Sequence, residues 1–326
     1  MAEQVEWGQV KVEAGNSSGA VPLTVHRTDA HHDAHVWFKQ HAAQIVEELH
    51  TRGAILFRGF DLDAPDDFQR AVDCIVPGSL NYRGGTSPRT QISEGVYTST
   101  EYPHQYEIAL HNEMSYSAAA PDYIFFACAT APVDRGATPI ADCRRVLKRL
   151  PADVVALFAQ RSLMYERNLF GRDSPFNSWA KAFETRDREM VEQYCMERDI
   201  GAEWLADDKL RTREMRPALV RHPVTDEAVW FNQAHLWHYT NSPLAASMVG
   251  ASERGLPMNV YFGDGSPLDL RSLDMIRAAY AAEKTLFTWQ LGDLLALDNR
   301  LFAHGRMPFS GPRKIMVAMR NHPPTV

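Results

Sequence analysis

Leu110-His111-Asn112-Glu113 is a tetrapeptide that could do chemistry. On an extended backbone, residues two apart face the same way. His111 and Glu113 can therefore present an imidazole and a carboxylate to one point. A second imidazole from a distant strand would complete a 2-His-1-carboxylate facial triad, the donor set that leaves three adjacent positions open on non-haem Fe(II). Taken alone the pair carries little weight. With 13 His and 41 acidic residues in 326 positions, chance supplies about 1.6 such pairs. The chain holds a second one, His31 and Asp33, and an isolated pair of this kind is ordinarily a solvated His beside an acid. Context changes the weighting. His304 sits in GDLLALDNRLFAHGRMPFSGPRKIMVAM, where a Gly-Asp turn leads into an apolar strand, then the His with arginines after it, then another apolar strand.

Elements that could position these residues are legible on both sides. Phe38, Ala42, Ile45 and Leu49 follow helical spacing, so 35–51 reads as an amphipathic helix ended at Gly53. AILFRGF (54–60) is an apolar run bounded by Gly and reads as a buried strand, and 65–76 is helical again. Residues 1–30 suit a small strand. The stretch 80–104, rich in Gly, Ser, Thr and Pro, reads as a long surface loop of the kind that lids and binding loops use. YIFFACATAP (123–132) is a strand, and GATPIADCRRVLKRLP (136–151) a strand then a short helix closed by Pro151. Residues 152–215 are charged and helical in pattern, as in DREMVEQYCMERD (187–199). ALVRHP and VWFN (218–232) read as a hairpin around VTDE. A helix over 268–283 precedes the strands KTLFTWQ, DLLALDN, LFAHGR and KIMVAMR. Strands at both ends around a helical middle predict one β-core, 1–326 as a single domain, carrying a helical insertion at about 152–250.

Composition limits the partners. The net charge is −7, with 23% charged residues of both signs interspersed, which does not suit coating nucleic acid or anionic membrane. No apolar run of bilayer length appears, and MAEQVEWGQVKVEAG lacks the basic and apolar regions of a signal peptide. Cys74, Cys128, Cys143 and Cys195 are scattered, with no CxxC, and read as free thiols in a reducing cytoplasm.

The blocks LFRGF (56–60), GVYTSTEYPHQYEIALHNEMSY (95–116), GATPIAD (136–142) and the C-terminal strands occur in an order that resembles the taurine dioxygenase/clavaminate synthase superfamily of Fe(II)/2-oxoglutarate oxygenases. The resemblance covers most of the chain. It implies a β-rich α+β fold, a distorted double-stranded β-helix (jelly roll) with outer helices and a helical insertion or lid. It implies that His111, Glu113 and His304 ligate Fe(II), with O2 and 2-oxoglutarate as co-substrates. It further implies that Thr138, in a GxTxxxD block, bonds the distal carboxylate of 2-oxoglutarate and that Arg313 pairs with the same carboxylate. An arginine suits that task because its planar fork matches a carboxylate and stays charged. Arg306 and Arg320 remain competitors for it. Family halogenases carry a small residue where Glu113 stands, so hydroxylation rather than halogenation is expected.

The block TSTEYPxxYEIxLHNExSY is similar to that of hydroxylases of free or carrier-tethered amino acids in antibiotic pathways. The expected activity is hydroxylation of an unactivated carbon in an amino-acid-like small molecule. Whether a peptidyl carrier protein presents it stays open, as do the oligomeric state and the alternatives of desaturation, cyclisation, epimerisation or a non-catalytic binding module. Arg89 and Glu107 are candidates to grip a substrate carboxylate and ammonium, and Asn232 in FNQAHLWH (231–238) a candidate substrate contact. For each, a surface or hydrogen-bonded core residue is the plainer reading. His31 and His35 of HHDAH (31–35) could ligate a metal but read better as the start of the following helix, and Trp230, Trp237 and Trp289 read as core.

Overall fold

The structure, a computed structural model, describes residues 7, 10–13, 23–28, 33–78, 80, 90–93, 95–99, 102–241 and 256–322. Two sheets form a distorted jelly roll. The larger has eight strands in the order Val10–Glu13, Leu23–Arg27, Ala54–Arg58, Leu294–Asp298, Tyr123–Thr130, Lys314–Arg320, Val96–Thr98 and Gln91–Ser93. All neighbours pair antiparallel except Leu23–Arg27 with Ala54–Arg58. The smaller has four, in the order Thr285–Phe287, Thr138–Asp142, Phe302–Arg306 and Ile108–His111.

Alternation along the large sheet divides the core in two. Leu56, Phe126, Leu295 and Val317 join one apolar cluster, shared with Leu110, Ile140 and Phe302 of the small sheet. Their chain neighbours Ile55, Phe125, Leu294 and Ala318 join another, built against Phe38, Ile45, Leu49, Phe68 and Val72 of the helices Ala34–Arg52 and Pro65–Ile75. Both faces are covered, which is why these strands read as unbroken apolar runs.

The first helix begins at Asp33, whose carboxylate accepts the main-chain N–H of His35 and Val36. His35 bonds the carbonyl of Asp67, so it belongs to a helix start packed on its neighbour rather than to a metal site. The helix stops at Gly53, at φ 80, where a Cβ would stand 2.4 Å from the Phe302 ring. Only glycine combines that left-handed turn with that closeness.

Two expectations change. The stretch 80–104 is not loop throughout, because Gln91–Ser93 and Val96–Thr98 extend the large sheet. Arg89 and His31 lie outside the described residues. The segment 152–250 holds helices (Ala152–Arg161, Trp179–Ala182, Arg188–Glu197 and Ala234–Trp237), but its frame is an antiparallel sheet in the order Ile200–Leu205, Lys209–Arg216, Leu163–Leu169 and Met258–Phe262. In Lys209–Arg216 the inward positions are Leu210, Thr212 and Glu214. Two of those three are polar, so the alternation that announces a half-buried strand is hidden. The hairpin expected at 218–232 is present as Leu219–Arg221 against Ala228–Trp230. No described helix is long and apolar enough to cross a membrane.

Candidate metal centre and co-substrate cavity

His111 ends the strand Ile108–His111 and stands directly opposite His304 on the neighbouring antiparallel strand. Their ring centroids are 4.6 Å apart. The pairing depends on Gly305: a Cβ there would lie 2.5 Å from the carbonyl oxygen of Ile108. Immediately beyond His304 the register shifts by a bulge, so Arg306 meets Ile108. Bulges of this kind re-aim side chains beside functional sites.

Nδ1 of His111 bonds the Ala109 carbonyl at 2.8 Å, which favours the Nδ1–H tautomer and makes Nε2 the nitrogen with the lone pair. Two residues on, Glu113 is 3% exposed. Its Oε2 stands 3.6 Å from Nε2 of His304. Ligand atoms of His111, Glu113 and His304 all lie within 4.8 Å of one another, the one such cluster of three among the described residues. Two donors about 2.1 Å from one first-row metal and roughly at right angles would stand about 3 Å apart, so this opening is slightly wider than a bound metal would set. The His304 ring, 5% exposed, makes no hydrogen bond among the described residues, and its buried Nδ1 is without a partner. Two imidazoles and one carboxylate converging on one point are a donor set that fits a divalent iron.

A small cavity opens on the two histidines of this cluster, lined with them by Ser99, Ile108, Phe126, Thr138, Gly305, Arg306, Arg313 and Ile315. Thr138 starts the strand next to that of His304. Its hydroxyl oxygen accepts the indole N–H of Trp289 at 3.0 Å and an N–H of Arg313 at 3.4 Å, leaving its own proton to give to the cavity. Arg313 also donates from Nε to the Gly136 carbonyl at 2.9 Å. It has no acidic partner among the described residues. Burial, with the charge of Arg306 behind it, pulls its pKa down to about 10. A guanidinium placed so is deficient in negative charge, and a carboxylate in the cavity would supply it.

The competing arginines are otherwise engaged. Arg306 lines the cavity, but its N–H groups go to the carbonyls of Tyr102 and Pro103, both at 2.7 Å, and Tyr106 at 3.0 Å. It clamps the 102–106 turn. Arg320 bonds Asp73 at 2.8 Å, on the helix-covered side of the large sheet.

The substrate candidates fare differently. Asn232 is fully buried, donating to the Ala218 carbonyl and accepting from the Ala234 N–H, so both ends of its amide are used in the core. Its neighbours matter instead. Gln233 donates to the carbonyl of Asn112 at 2.6 Å and His235 bonds that of Leu110 at 2.8 Å, bracing the His111–Glu113 segment from behind. Glu107 does not line the cavity and pairs with Lys284 at 3.5 Å near the surface. Trp289 is core, as read, but its indole N–H orients Thr138; the WQ ahead of the Gly-Asp turn was the signal available.

Comparison with known proteins gives the family. The sequence model of the taurine catabolism dioxygenase TauD, TfdA family matches residues 22–319. The chain belongs to that family. It is 38% identical over 301 residues, 91% of this chain and 89% of the relative, to the dapdiamide synthesis protein DdaC of Enterobacter agglomerans. It is 31% identical over 280 residues, 83% and 82% of the two chains, to a clavaminate synthase-like protein of Arabidopsis thaliana. Among solved structures, PvcB of Pseudomonas aeruginosa superposes with a TM-score of 0.58 at 16% identity, covering 99% of this chain and 95% of that one. This TauD/TfdA member is accordingly an Fe(II)/2-oxoglutarate dioxygenase with a jelly-roll fold.

Proposed function

We propose that this dioxygenase hydroxylates an unactivated carbon of an amino-acid-like substrate, with His111, Glu113 and His304 as iron ligands and Thr138 and Arg313 as the seat of the distal carboxylate of 2-oxoglutarate. The observation that carries the reading is the convergence of three donors, two of which, His111 and His304, line a cavity that also holds a partly buried arginine with no acidic partner among the described residues. The amino-acid-like substrate is supported by the TSTEYPxxYEIxLHNExSY block and by the relative that serves dapdiamide synthesis. The chain is read as one oxygenase unit, because the strands bearing His111, Thr138 and His304 share a sheet although the insertion separates them in sequence.

Iron, with 2-oxoglutarate and O2, supplies the oxidising power, converting the co-substrate to succinate and CO2 as one oxygen atom enters a C–H bond. The chain's own groups supply placement. Arg313 and the Thr138 hydroxyl grip one end of the co-substrate and so fix its other end toward the histidines. Ile108, Phe126 and Ile315 wall the cavity with hydrocarbon and keep water off the reacting centre. Glu113 contributes the single negative charge among the ligands and occupies the position a halide would need.

His111→Ala and His304→Ala should each abolish Fe(II)-dependent succinate release while the protein stays folded; full activity in either would refute the ligand assignment. A screen of succinate release against free amino acids and amino acids loaded on a peptidyl carrier, with product mass spectrometry, tests the substrate. A product heavier by one oxygen atom is expected, whereas one lighter by two hydrogens would replace hydroxylation with desaturation.

A further inference from the structure

Glu113 lies beyond the last rung of its strand. His111 pairs with His304, and two residues later no neighbouring strand fixes the backbone. Met114, which follows, has φ 51, a left-handed turn that takes the chain away. A glutamate has more rotatable bonds than an aspartate, so where its carboxylate arrives depends on how firmly its main chain is anchored.

Two side chains hold this segment: Gln233 bonds the Asn112 carbonyl at 2.6 Å, and Asn299 holds Glu113 itself on both sides. The Asn299 amide oxygen accepts the Glu113 main-chain N–H at 2.7 Å, and its amide nitrogen donates to the Glu113 carbonyl at 2.9 Å. The second amide proton goes to the Pro121 carbonyl at 2.8 Å. The amide thus stands in for the missing strand. Its own backbone is pinned too: N–H to the Asp122 carbonyl at 2.8 Å, and carbonyl from the Asn112 side chain at 2.7 Å. Asp298 beside it caps the same turn through the N–H groups of Arg300 and Leu301 and takes His222 at 2.9 Å. Asn112, Glu113, Asp298 and Asn299 are all buried.

The turn holding Asn299 joins the strands Leu294–Asp298 and Phe302–Arg306, and the latter bears His304 five residues on. We propose that Asn299 is a positioning residue for the iron: it ties the main chain of the carboxylate ligand to the very turn that carries the second histidine, coupling two ligands 191 residues apart in sequence. This rests on the ligand assignment above.

The test compares Asn299→Ala and Asn299→Ser with Asn168→Ala, which removes an amide with two comparable bonds in the insertion sheet, to the Leu256 carbonyl and from Arg211. Fe(II) affinity is measured anaerobically on full-length protein, at a temperature where thermal unfolding shows every variant folded, with His111→Ala as reference. Roughly 10–100-fold weaker iron binding is expected for the Asn299 variants, together with more succinate released per product formed, and neither change in Asn168→Ala. Unchanged iron affinity and coupling in Asn299→Ala or Asn299→Ser, or an equal loss in Asn168→Ala, overturns the proposal. Iron retained by His111→Ala would instead overturn the ligand assignment itself and this proposal with it. A measurement on the unaltered protein holds even if the Asn299 variants do not fold. The Glu113 amide, though outside any strand, should exchange its hydrogen as slowly as the sheet core; exchange at the rate of an open turn overturns the proposal.

Discussion

His111 and His304 occupy one rung of the small sheet, each the direct cross-strand partner of the other. The glycine beside His304 is what lets that rung close. Gly305→Ala would drive a methyl group into the Ile108 carbonyl, 2.5 Å away, with the Pro139 ring at 3.1 Å on the same side. Both neighbours belong to paired strands and have little room to yield. A loss of about 1–3 kcal/mol of stability is expected, with weakened iron binding because the two imidazoles are pushed apart. Thermal unfolding and iron content of the purified variant check this; wild-type iron affinity would show that the rung tolerates a wider spacing.

The two arginines of the cavity should separate cleanly. Arg313→Ala removes the cation opposite Thr138 and should raise the 2-oxoglutarate requirement, since a buried carboxylate losing its partner costs on the order of 2–5 kcal/mol, roughly 30-fold or more in apparent KM. Arg313→Lys should recover little, because an ammonium cannot present a planar fork. Arg306→Ala should act through the unmoored 102–106 turn and lower stability more than co-substrate affinity. Steady-state kinetics in 2-oxoglutarate for the three variants would show the roles exchanged if Arg306→Ala gave the larger KM effect.

Glu113 decides the fate of halide. With the carboxylate in place, saturating chloride should leave the product distribution unchanged, and a chlorinated product from the unaltered enzyme would show that Glu113 is not a ligand. Glu113→Ala should bind iron more weakly without becoming an efficient halogenase, because one substitution does not re-aim the substrate's C–H bond. Product mass spectrometry with and without chloride reads both.

Acid should loosen the brace behind the site. Burial pushes the His235 imidazole from its ordinary 6.5 down to about 4, and His238 is lowered likewise, burial again the main cause. The folded state therefore refuses a proton that the unfolded chain accepts. Stability is full above about pH 6.5 and is lost as the pH falls toward 4, by about 3 kcal/mol for His235 alone. Urea unfolding at pH 7 and pH 4.5 should show the slope, and His235→Gln should flatten it. An unchanged slope would mean that His235 takes up its proton in the folded state.

Much of this was legible because it lay in local patterns. The strands 54–58, 123–130 and 294–298 are apolar runs of strand length, and the His-x-Glu spacing is itself the period of a strand. The rest depends on where long or polar side chains turn. Arg306 and Arg313 are equivalent by type, and what distinguishes them is the carbonyls of the 102–106 turn around the first and Gly136 and Thr138 beside the second. Asn232 and Gln233 are adjacent amides, and the fold sends one into the core and the other to the His111–Glu113 segment. The insertion sheet was hidden by Thr212 and Glu214 pointing inward. Asn299 could not be read at all, since its value lies in a contact 186 residues away.

Ile140 and Thr285 are paired residues of adjacent strands, so the long segment between them departs from and returns to the same place on the small sheet. It is not a detachable piece: its Leu163, Tyr165, Trp230, Trp237 and Val260 share one apolar cluster with Leu56, Phe126, Ile140 and Val317 of the jelly roll. Through Gln233 and His235 the inserted piece keeps a two-point grip on the peptide units just before His111 and just before Glu113. The short helix Ala234–Trp237 is thereby coupled to the backbone that carries two of the proposed iron ligands.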